Sequence, residues 1–320
     1  MQRFAYANPA TLKEASGLLG NSWDDAQILA GGTDLLSLMK EGLTAPKLLV
    51  NIKNIKELTA IAPEKGGLRI GAAVTLDELA ENALVRRQFP ALVQAALGIT
   101  SPQIRNMGTM GGDLCQRPRC WYFRQGHGLL AMRDGKSLIP AGENQYHAIL
   151  GNSGPAYFVS ASSFGPALVA LDASMRVVSP SGTRDVPAAQ FFVTPKDEAS
   201  RETVLQPNEI LTAIHIPAAA AHSATYEIRQ REAIDWPLAA ASVVLKSGAP
   251  VIVLGHVAPI PWPAPEAGKF LAGKPLNEET ATEAAKLALQ GAAPLSQNGY
   301  KVQLARVSVK RALLAAAKGA

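Results

Sequence analysis

Two glycine-rich turns hold the residues best suited to chemistry. The first, Ala30-Gly31-Gly32-Thr33-Asp34-Leu35, directly follows the apolar run Ala26-Gln27-Ile28-Leu29. The second, Asn106-Met107-Gly108-Thr109-Met110-Gly111-Gly112-Asp113, follows an expected helix. Paired glycines let the backbone approach a ligand and take positive φ, so that successive N–H groups converge on an anion, and Thr33 and Thr109 add hydroxyl donors. Neither turn fits G-x-G-x-x-G or the Walker A pattern. One Gly-Gly after a strand is usually an ordinary tight turn. Two of them in the N-terminal half, each beside a threonine, point to one diphosphate held from two sides. No Ser/His/Asp constellation, carboxylate pair or metal-ligand spacing stands out, so no catalytic side chain and no metal site is expected. Cys115 and Cys120 are five apart, outside the C-x-x-C spacing of a zinc or redox pair.

The elements that must position these turns follow from pattern. Thr11 opens a helix to Leu19, with Glu14 three residues on in a capping-box arrangement and Gly20 as its stop. A strand Gln27–Ala30, an amphipathic helix Asp34–Lys40 and a strand Lys47–Ile52 make a small β-α-β unit around the first turn. Leu58–Ala62 and Gly67–Ala72 read as a hairpin, Thr75 with Glu78 caps a helix through Leu79, and Phe89–Leu97 forms another before Thr100-Ser101-Pro102. Residues 115–151 are polar and lack apolar periodicity, so they read as a long functional insertion. Strands Ala156–Ser160 and Met175–Ser179 flank a helical Gly165–Leu171. Strands Ile210–Ile216, Thr225–Arg229, Ala240–Lys246 and Val251–Val257, then helices Glu278–Leu289 and Val307–Ala317, describe a second, α+β region. The boundary falls near Pro180–Arg184, giving domains 1–182, with subdomains of about 1–55 and 56–182, and 183–320.

Bulk properties exclude several classes. Of 320 residues, 48% are hydrophobic and 18% charged, and no stretch approaches the roughly 20 apolar residues of a membrane helix. Residues 1–6 show no secretory signal pattern, so a cytoplasmic location is expected, with periplasmic co-export beside a signal-bearing partner as the alternative. The net charge of +5 is scattered and aromatics stand at 6%, which speaks against nucleic-acid binding and for an anionic cofactor, an acidic partner surface or plain solubility.

Three strings carry a family resemblance: Ala30-Gly31-Gly32-Thr33-Asp34-Leu35-Leu36, then Ile104-Arg105-Asn106-Met107-Gly108-Thr109-Met110-Gly111-Gly112-Asp113-Leu114, then the looser Arg231-Glu232-Ala233-Ile234-Asp235-Trp236. The chain resembles, over nearly its whole length, the FAD-binding medium subunits of the xanthine dehydrogenase and carbon monoxide dehydrogenase family. That resemblance implies an FAD domain of the vanillyl-alcohol oxidase (PCMH-like) type, two α+β subdomains clasping the cofactor, followed by an α+β C-terminal domain. It implies that Ala30, Gly31, Gly32, Thr33, Asp34 and Leu35 hold the FAD pyrophosphate from one side, and Asn106, Thr109, Gly111, Gly112 and Asp113 approach from the other. Asp113 repels a pyrophosphate, so it either accepts from ribose or ribityl hydroxyls or caps a turn. The implied partners are a molybdenum-cofactor large subunit and a small [2Fe–2S] subunit, and the implied task is to pass electrons through FAD to an external acceptor. A stand-alone FAD oxidase and a flavin-free structural subunit are the competing readings.

Two departures from the family pattern stand out. The segment Cys115–Phe123 is similar to that of aldehyde-oxidising relatives whose medium subunit also holds a [4Fe–4S] cluster. With two cysteines in the whole chain, no such cluster is expected here, and both thiols read as reduced and packed. Where relatives read His-Pro-Ser-Asp, this chain has Ser160-Ala161-Ser162-Ser163, so Ser163 stands in for the acid. It is expected either to bond the flavin or ribityl chain or, more plainly, to cap the helix Phe164–Leu171.

Overall fold

In the computed structural model the chain is described over residues 1–99, 101–232 and 234–319. Thr100 in the expected helix stop, Ala233 in the third motif and Ala320 lie outside the described residues. The N-terminal unit is β1 (Ala5–Ala7), α1 (Leu12–Gly17), β2 (Ala26–Leu29), α2 (Leu35–Lys40) and β3 (Leu48–Asn51). Its three strands are parallel, ordered β1-β3-β2, so β2 points its C-terminal end and the glycine turn out of one sheet edge. Thr11 caps α1 by accepting from the Glu14 N–H at 3.2 Å, while Glu14 reaches back to the Ala10 N–H at 2.8 Å. Both bonds satisfy donors that the helix start leaves free.

A second unit follows: β4 (Ile61–Glu64), β5 (Gly67–Gly71), α3 (Leu76–Glu81), α4 (Ala83–Gln88), α5 (Pro90–Gly98), α6 (Pro102–Met107) and α7 (Met110–Cys115). Thr75 and Glu78 close the expected capping box of α3. The insertion holds α8 (Trp121–Arg124) and the hairpin β6 (Met132–Arg133) with β7 (Lys136–Ser137), packed around its own core of Leu38, Phe123, Leu129, Leu130, Ile139 and Phe158. Ala156–Ser160, expected as a strand, is irregular chain tied to its surroundings by single bonds, Ala148 N–H to Tyr157 O at 2.8 Å and Ser160 N–H to Ala258 O at 2.9 Å. Beyond it come α9 (Gly165–Ala170), β8 (Ser174–Ser179), β9 (Gly182–Pro187), α10 (Ala188–Phe191) and β10 (Ile210–Ile216).

The strand β10 does not join the C-terminal region in which a boundary at 182/183 places it. It lies at the centre of an antiparallel sheet ordered β4-β5-β10-β8-β9, where Leu211, Ile214 and Ile216 enter the same core as Leu68, Ile70, Met175 and Val177. Burial on both sides outweighs nearness in sequence. Its register with β8 shifts between Leu211 and Ala213, and the odd residue, Thr212, accepts the Ala72 N–H at 2.9 Å. Ala72 in turn accepts the Gly111 N–H at 2.8 Å, so this irregularity anchors the second glycine turn.

The last unit is the antiparallel sheet β11 (Ser223–Ile228), β12 (Ala239–Val244), β13 (Val251–Gly255) and β14 (Trp262–Pro263), covered by α11 (Pro265–Leu271), α12 (Glu278–Ala288) and α13 (Tyr300–Lys318). Every residue of β12 is buried because α13 covers one face and α9 the other, which explains an apolar run without alternation. The final helix begins seven residues before the expected Val307, since Lys301 and Val302 pack inward despite the charge. Among the described residues no helix is long and apolar enough to cross a membrane.

Candidate functional site

The two glycine turns meet. A Cβ built on Gly31 would collide with the Met107 carbonyl, so only glycine lets the first turn seat against the end of α6. Gly32 takes φ of +74° and turns the chain into α2. On the other side, a Cβ on Gly111 would stand 3.0 Å from both Ala72 Cβ and Ala72 O. Both turns therefore seat closely against neighbouring backbone of the protein itself.

Their hydrogen bonding is unequal. Among the described residues the N–H groups of Gly31, Gly32, Thr33, Asp34 and Leu35 have no partner, and neither does the Thr33 hydroxyl. The second turn is already satisfied: Met110 N–H bonds Val74 O, Gly111 N–H bonds Ala72 O, and Gly112 N–H bonds Thr109 Oγ1 at 3.1 Å. An anion thus finds free backbone donors on the first turn, and shape plus the Thr109 hydroxyl on the second. Asn106 is exposed on α6 and borders none of the clefts.

Two clefts run along these turns. The first is lined by Ala30 to Leu35, Thr109, Gly111 and Gly112 together with residues of the segment 201–211. The second shares Thr33, Asp34, Thr109 and Gly112 with it and continues past Asp113 and Ser163 to Asp235 and Trp236. The path suits a long dinucleotide better than a compact ligand.

Asp34 and Asp113 are both engaged by donors of the protein itself, and for Asp113 these are the turn-capping bonds that were one of its two expected uses. The Asp34 carboxylate accepts the Arg117 N–H at 2.9 Å and lies 2.8 Å from Arg124 Nη2 and 3.1 Å from Arg119 Nη2, which ties the insertion onto the first turn. Arg117 also pairs with half-buried Glu202 at 3.0 Å, and desolvation pushes that carboxyl above its usual range. Glu41, 3.8 Å from Arg124 Nη1, makes a third carboxylate against the three guanidinium groups, so this cluster fastens the insertion beside the free donors. Asp113 is 7% exposed and accepts from the Ser162 hydroxyl, Phe164 N–H at 3.3 Å, Ser163 N–H at 3.4 Å and Gln116 Nε2 at 3.0 Å. Burial pushes its carboxyl up to about 6 against the pull of these donors and of Arg119. It latches α7 to the start of α9, and no lone pair needs a cofactor hydroxyl.

Ser163 is not the cap of α9. Ser162 takes that role, its Oγ accepting the Gly165 N–H at 2.9 Å, while the Ser163 hydroxyl faces Glu227. Cys115 is exposed on the first cleft rather than packed, and Cys120 is buried with its Sγ 3.2 Å from His147 Nε2. A [4Fe–4S] cluster does not fit this donor set, since the thiolates it requires are not in the chain.

Sequence reading missed Lys53, whose ammonium bonds Ala30 O at 3.1 Å at the mouth of the first turn and which burial holds below its usual range. It missed Glu227 and Arg229, a buried ion pair whose arginine also bonds Gly98 O. It also missed Lys301, 1% exposed, whose Nζ donates to Tyr146 O, His147 O and His256 O at 3.1, 3.1 and 2.8 Å. A signal existed for the last: Lys301 falls on the same helical stripe as Ala305, Ser308, Val309 and Ala312.

The fold and cleft define a two-part flavoprotein chain. Residues 2–219 match the family described as the FAD binding domain in molybdopterin dehydrogenase, and residues 224–316 match the CO dehydrogenase flavoprotein C-terminal domain. The chain belongs to this family of FAD-binding medium subunits of molybdenum-hydroxylase oxidoreductases. It is 32% identical to the carbon monoxide dehydrogenase medium chain of Hydrogenophaga pseudoflava, covering 98% of this chain and 97% of that one. It is 31% identical to the aldehyde oxidoreductase FAD-binding subunit PaoB of Escherichia coli (strain K12), covering 96% of each. Among solved structures it resembles carbon monoxide dehydrogenase from Hydrogenophaga pseudoflava, with a TM-score of 0.76, 31% identity and coverage of 100% and 99%. Quinoline 2-oxidoreductase from Pseudomonas putida 86 gives a TM-score of 0.76 at 29% identity, with coverage of 99% and 98%.

Proposed function

We propose that this chain is the FAD-carrying subunit of a heteromeric molybdenum hydroxylase oxidising an aldehyde or N-heterocycle, fed by [2Fe–2S] clusters of a small partner subunit and delivering electrons to an external acceptor. A large partner subunit would carry the molybdenum cofactor and the substrate pocket. The observation that carries the reading is the row of five unpaired N–H groups at Gly31 to Leu35, set on a cleft beside an arginine-bearing insertion. FAD supplies two-electron and one-electron chemistry when bound, and the protein supplies seating and electrostatics.

In this reading Ala30 to Leu35 bind the pyrophosphate through backbone donors and the Thr33 hydroxyl, and Thr109, Gly111 and Gly112 shape the opposite wall. Arg117, Arg119 and Arg124, held by Asp34, Glu41 and Glu202, fasten the insertion beside the dianionic group. Asp113 and Ser162 fix the start of α9 so that the wall keeps its shape. Trp236 and Asp235 close the far end of the second cleft.

The test is an absorption spectrum of the protein purified with its neighbouring subunits, followed by iron and molybdenum analysis of the complex and of this chain alone. Flavin absorbance in this chain, with iron and molybdenum confined to its partners, is the expected result. A chain that holds no flavin and takes up no added FAD is a structural subunit, and steady turnover of an aldehyde by the isolated chain makes it a stand-alone oxidase. Either outcome sinks the reading.

A further inference from the structure

A third cavity lies between the insertion and the C-terminal unit. It shares Arg119, Asp235, Trp236 and Pro237 with the second cleft, and the Arg119 guanidinium, stacked 4.4 Å from the Trp236 ring centroid, forms part of the partition between them. His147 and His256 line it at 3% and 2% exposure, yet His147 Nδ1 and His256 Nε2 have no hydrogen-bond partner among the described residues. Buried polar atoms without partners are costly, and each calls for an explanation.

The chemistry of the lining is specific. Burial, with the nearby Lys301 charge adding to it, holds His147 down to about 4 and His256 down to about 3, so both rings are neutral at pH 7. Burial also pushes the Cys120 thiol up, so the thiol keeps its proton and donates it toward His147 Nε2. The ring proton of His147 then sits on Nδ1, a donor that makes no well-aligned hydrogen bond among the described residues, the Asn144 backbone being its nearest help. Trp121 and Tyr146 form a tilted ring pair with centroids 5.2 Å apart, and Trp236 supplies a further aromatic surface. Arg119, Arg231 and Lys301 outnumber Asp235, the one carboxylate in the lining, which already accepts the Arg231 and Trp236 N–H groups at 2.9 and 3.0 Å. The ammonium of Lys301 is matched by its three carbonyls, whereas the Arg231 guanidinium has no ion pair among the described residues.

We propose that this cavity is a second ligand site, which takes a planar conjugated carbonyl compound bearing an anionic group, the class to which quinone carboxylates and sulfonates belong. A ligand carbonyl oxygen accepts from His147 Nδ1, the indoles cover the ring, and Arg231 meets the anion. The site is separate from the glycine-lined clefts, and only its relation to electron delivery rests on the FAD reading.

The probe is anthraquinone-2-sulfonate, titrated against the FAD-loaded chain and followed by tryptophan fluorescence, with bound FAD read from its own absorbance. Saturable binding is expected, with His147→Leu and Arg231→Ala each weakening it at least tenfold while FAD content stays at the wild-type level. Arg231 is on an exposed loop, so Arg231→Ala keeps the test decisive if His147→Leu fails to fold. Absence of saturable binding, unchanged affinity in the folded variants, or displacement of FAD by the probe overturns the proposal. Probe binding that responds to these variants in a chain that holds no FAD leaves this site standing and removes the FAD reading instead.

Discussion

Gly31 shows how one side chain's absence joins two turns. Its α-hydrogen faces the Met107 carbonyl, and a methyl group there forces the first turn away from α6. Gly31→Ala should reduce FAD retention to under about a tenth of wild type and cost about 1–3 kcal/mol of stability, the usual range for overpacking. The flavin-to-protein absorbance ratio after gel filtration and a urea midpoint measure the two effects. Gly112→Ala meets only the Thr109 hydroxyl at 3.0 Å and should cost less in both; wild-type retention by Gly31→Ala would count against the clamp. His256 carries a second prediction at this scale. Its folded value of about 3 lies below the usual 6.5, so as pH falls from 6.5 the unfolded chain takes the proton first and stability declines until about pH 3. Above 6.5 the group contributes no pH dependence. Its φ of +59° suits asparagine, so His256→Asn should fold and show a shallower loss of urea midpoint between pH 6.5 and 3 than wild type. An identical slope would mean the ring is already charged.

At the scale of elements, the insertion is a strap rather than a loose loop. It is fastened to the first turn through Asp34 and to α13 through Lys301, with Asn298 Nδ2 adding bonds to His147 O and Ala148 O at 3.1 and 3.2 Å. Lys301→Met fills the same volume but leaves the Tyr146 and His256 carbonyls unmatched, while His147 O keeps the Asn298 donor. A loss on the order of 3 kcal/mol is expected, since unmatched buried groups cost about 1–3 kcal/mol each and relaxation recovers part. Urea unfolding checks it, and a loss below about 1 kcal/mol would show that the carbonyls find other partners. What sequence reading reached at this scale is what local chemistry controls: the Thr11 and Thr75 caps, the β4–β5 hairpin, and the strand-turn-helix around Gly31-Gly32. It failed where the deciding contact is distant in sequence. The Ser162 cap depends on Asp113, 49 residues away, and the place of β10 depends on β5, so neither leaves a local mark. The positive φ of Gly32 was legible because it is intrinsic to the turn, whereas the need for glycine at 31 and 111 comes from Met107 and Ala72 on other elements. The occupied N–H groups of the second turn were not legible either, because their acceptors, Ala72 and Val74, belong to another element.

For the molecule as a whole, the two family segments, 2–219 and 224–316, are not two independent cores. Val244 and Val253 of the C-terminal sheet enter the same cluster as Phe164, Leu168, Leu92 and Ile214 of the first segment. Polar contacts cross the same junction: Thr225 N–H to Gln94 Oε1 at 2.7 Å, Ala220 N–H to Gln88 O at 2.9 Å, and Arg229 to Gly98 O. Arg229 is held for that last bond by Glu227, so the pair is a cross-link whose removal strands a charge in a buried place. Cutting the chain near 220 would expose apolar surface on both pieces. One cooperative transition in urea is therefore expected, with tryptophan fluorescence and far-ultraviolet dichroism giving the same midpoint. Saturating FAD should shift both midpoints upward together, by about 2.7 kcal/mol at a free concentration one hundredfold above its Kd, because binding to the folded state alone adds to its stability. Two separated transitions, with only the first moving on addition of FAD, would show that the C-terminal sheet is an autonomous domain and that the shared core does not couple it to the cofactor cleft.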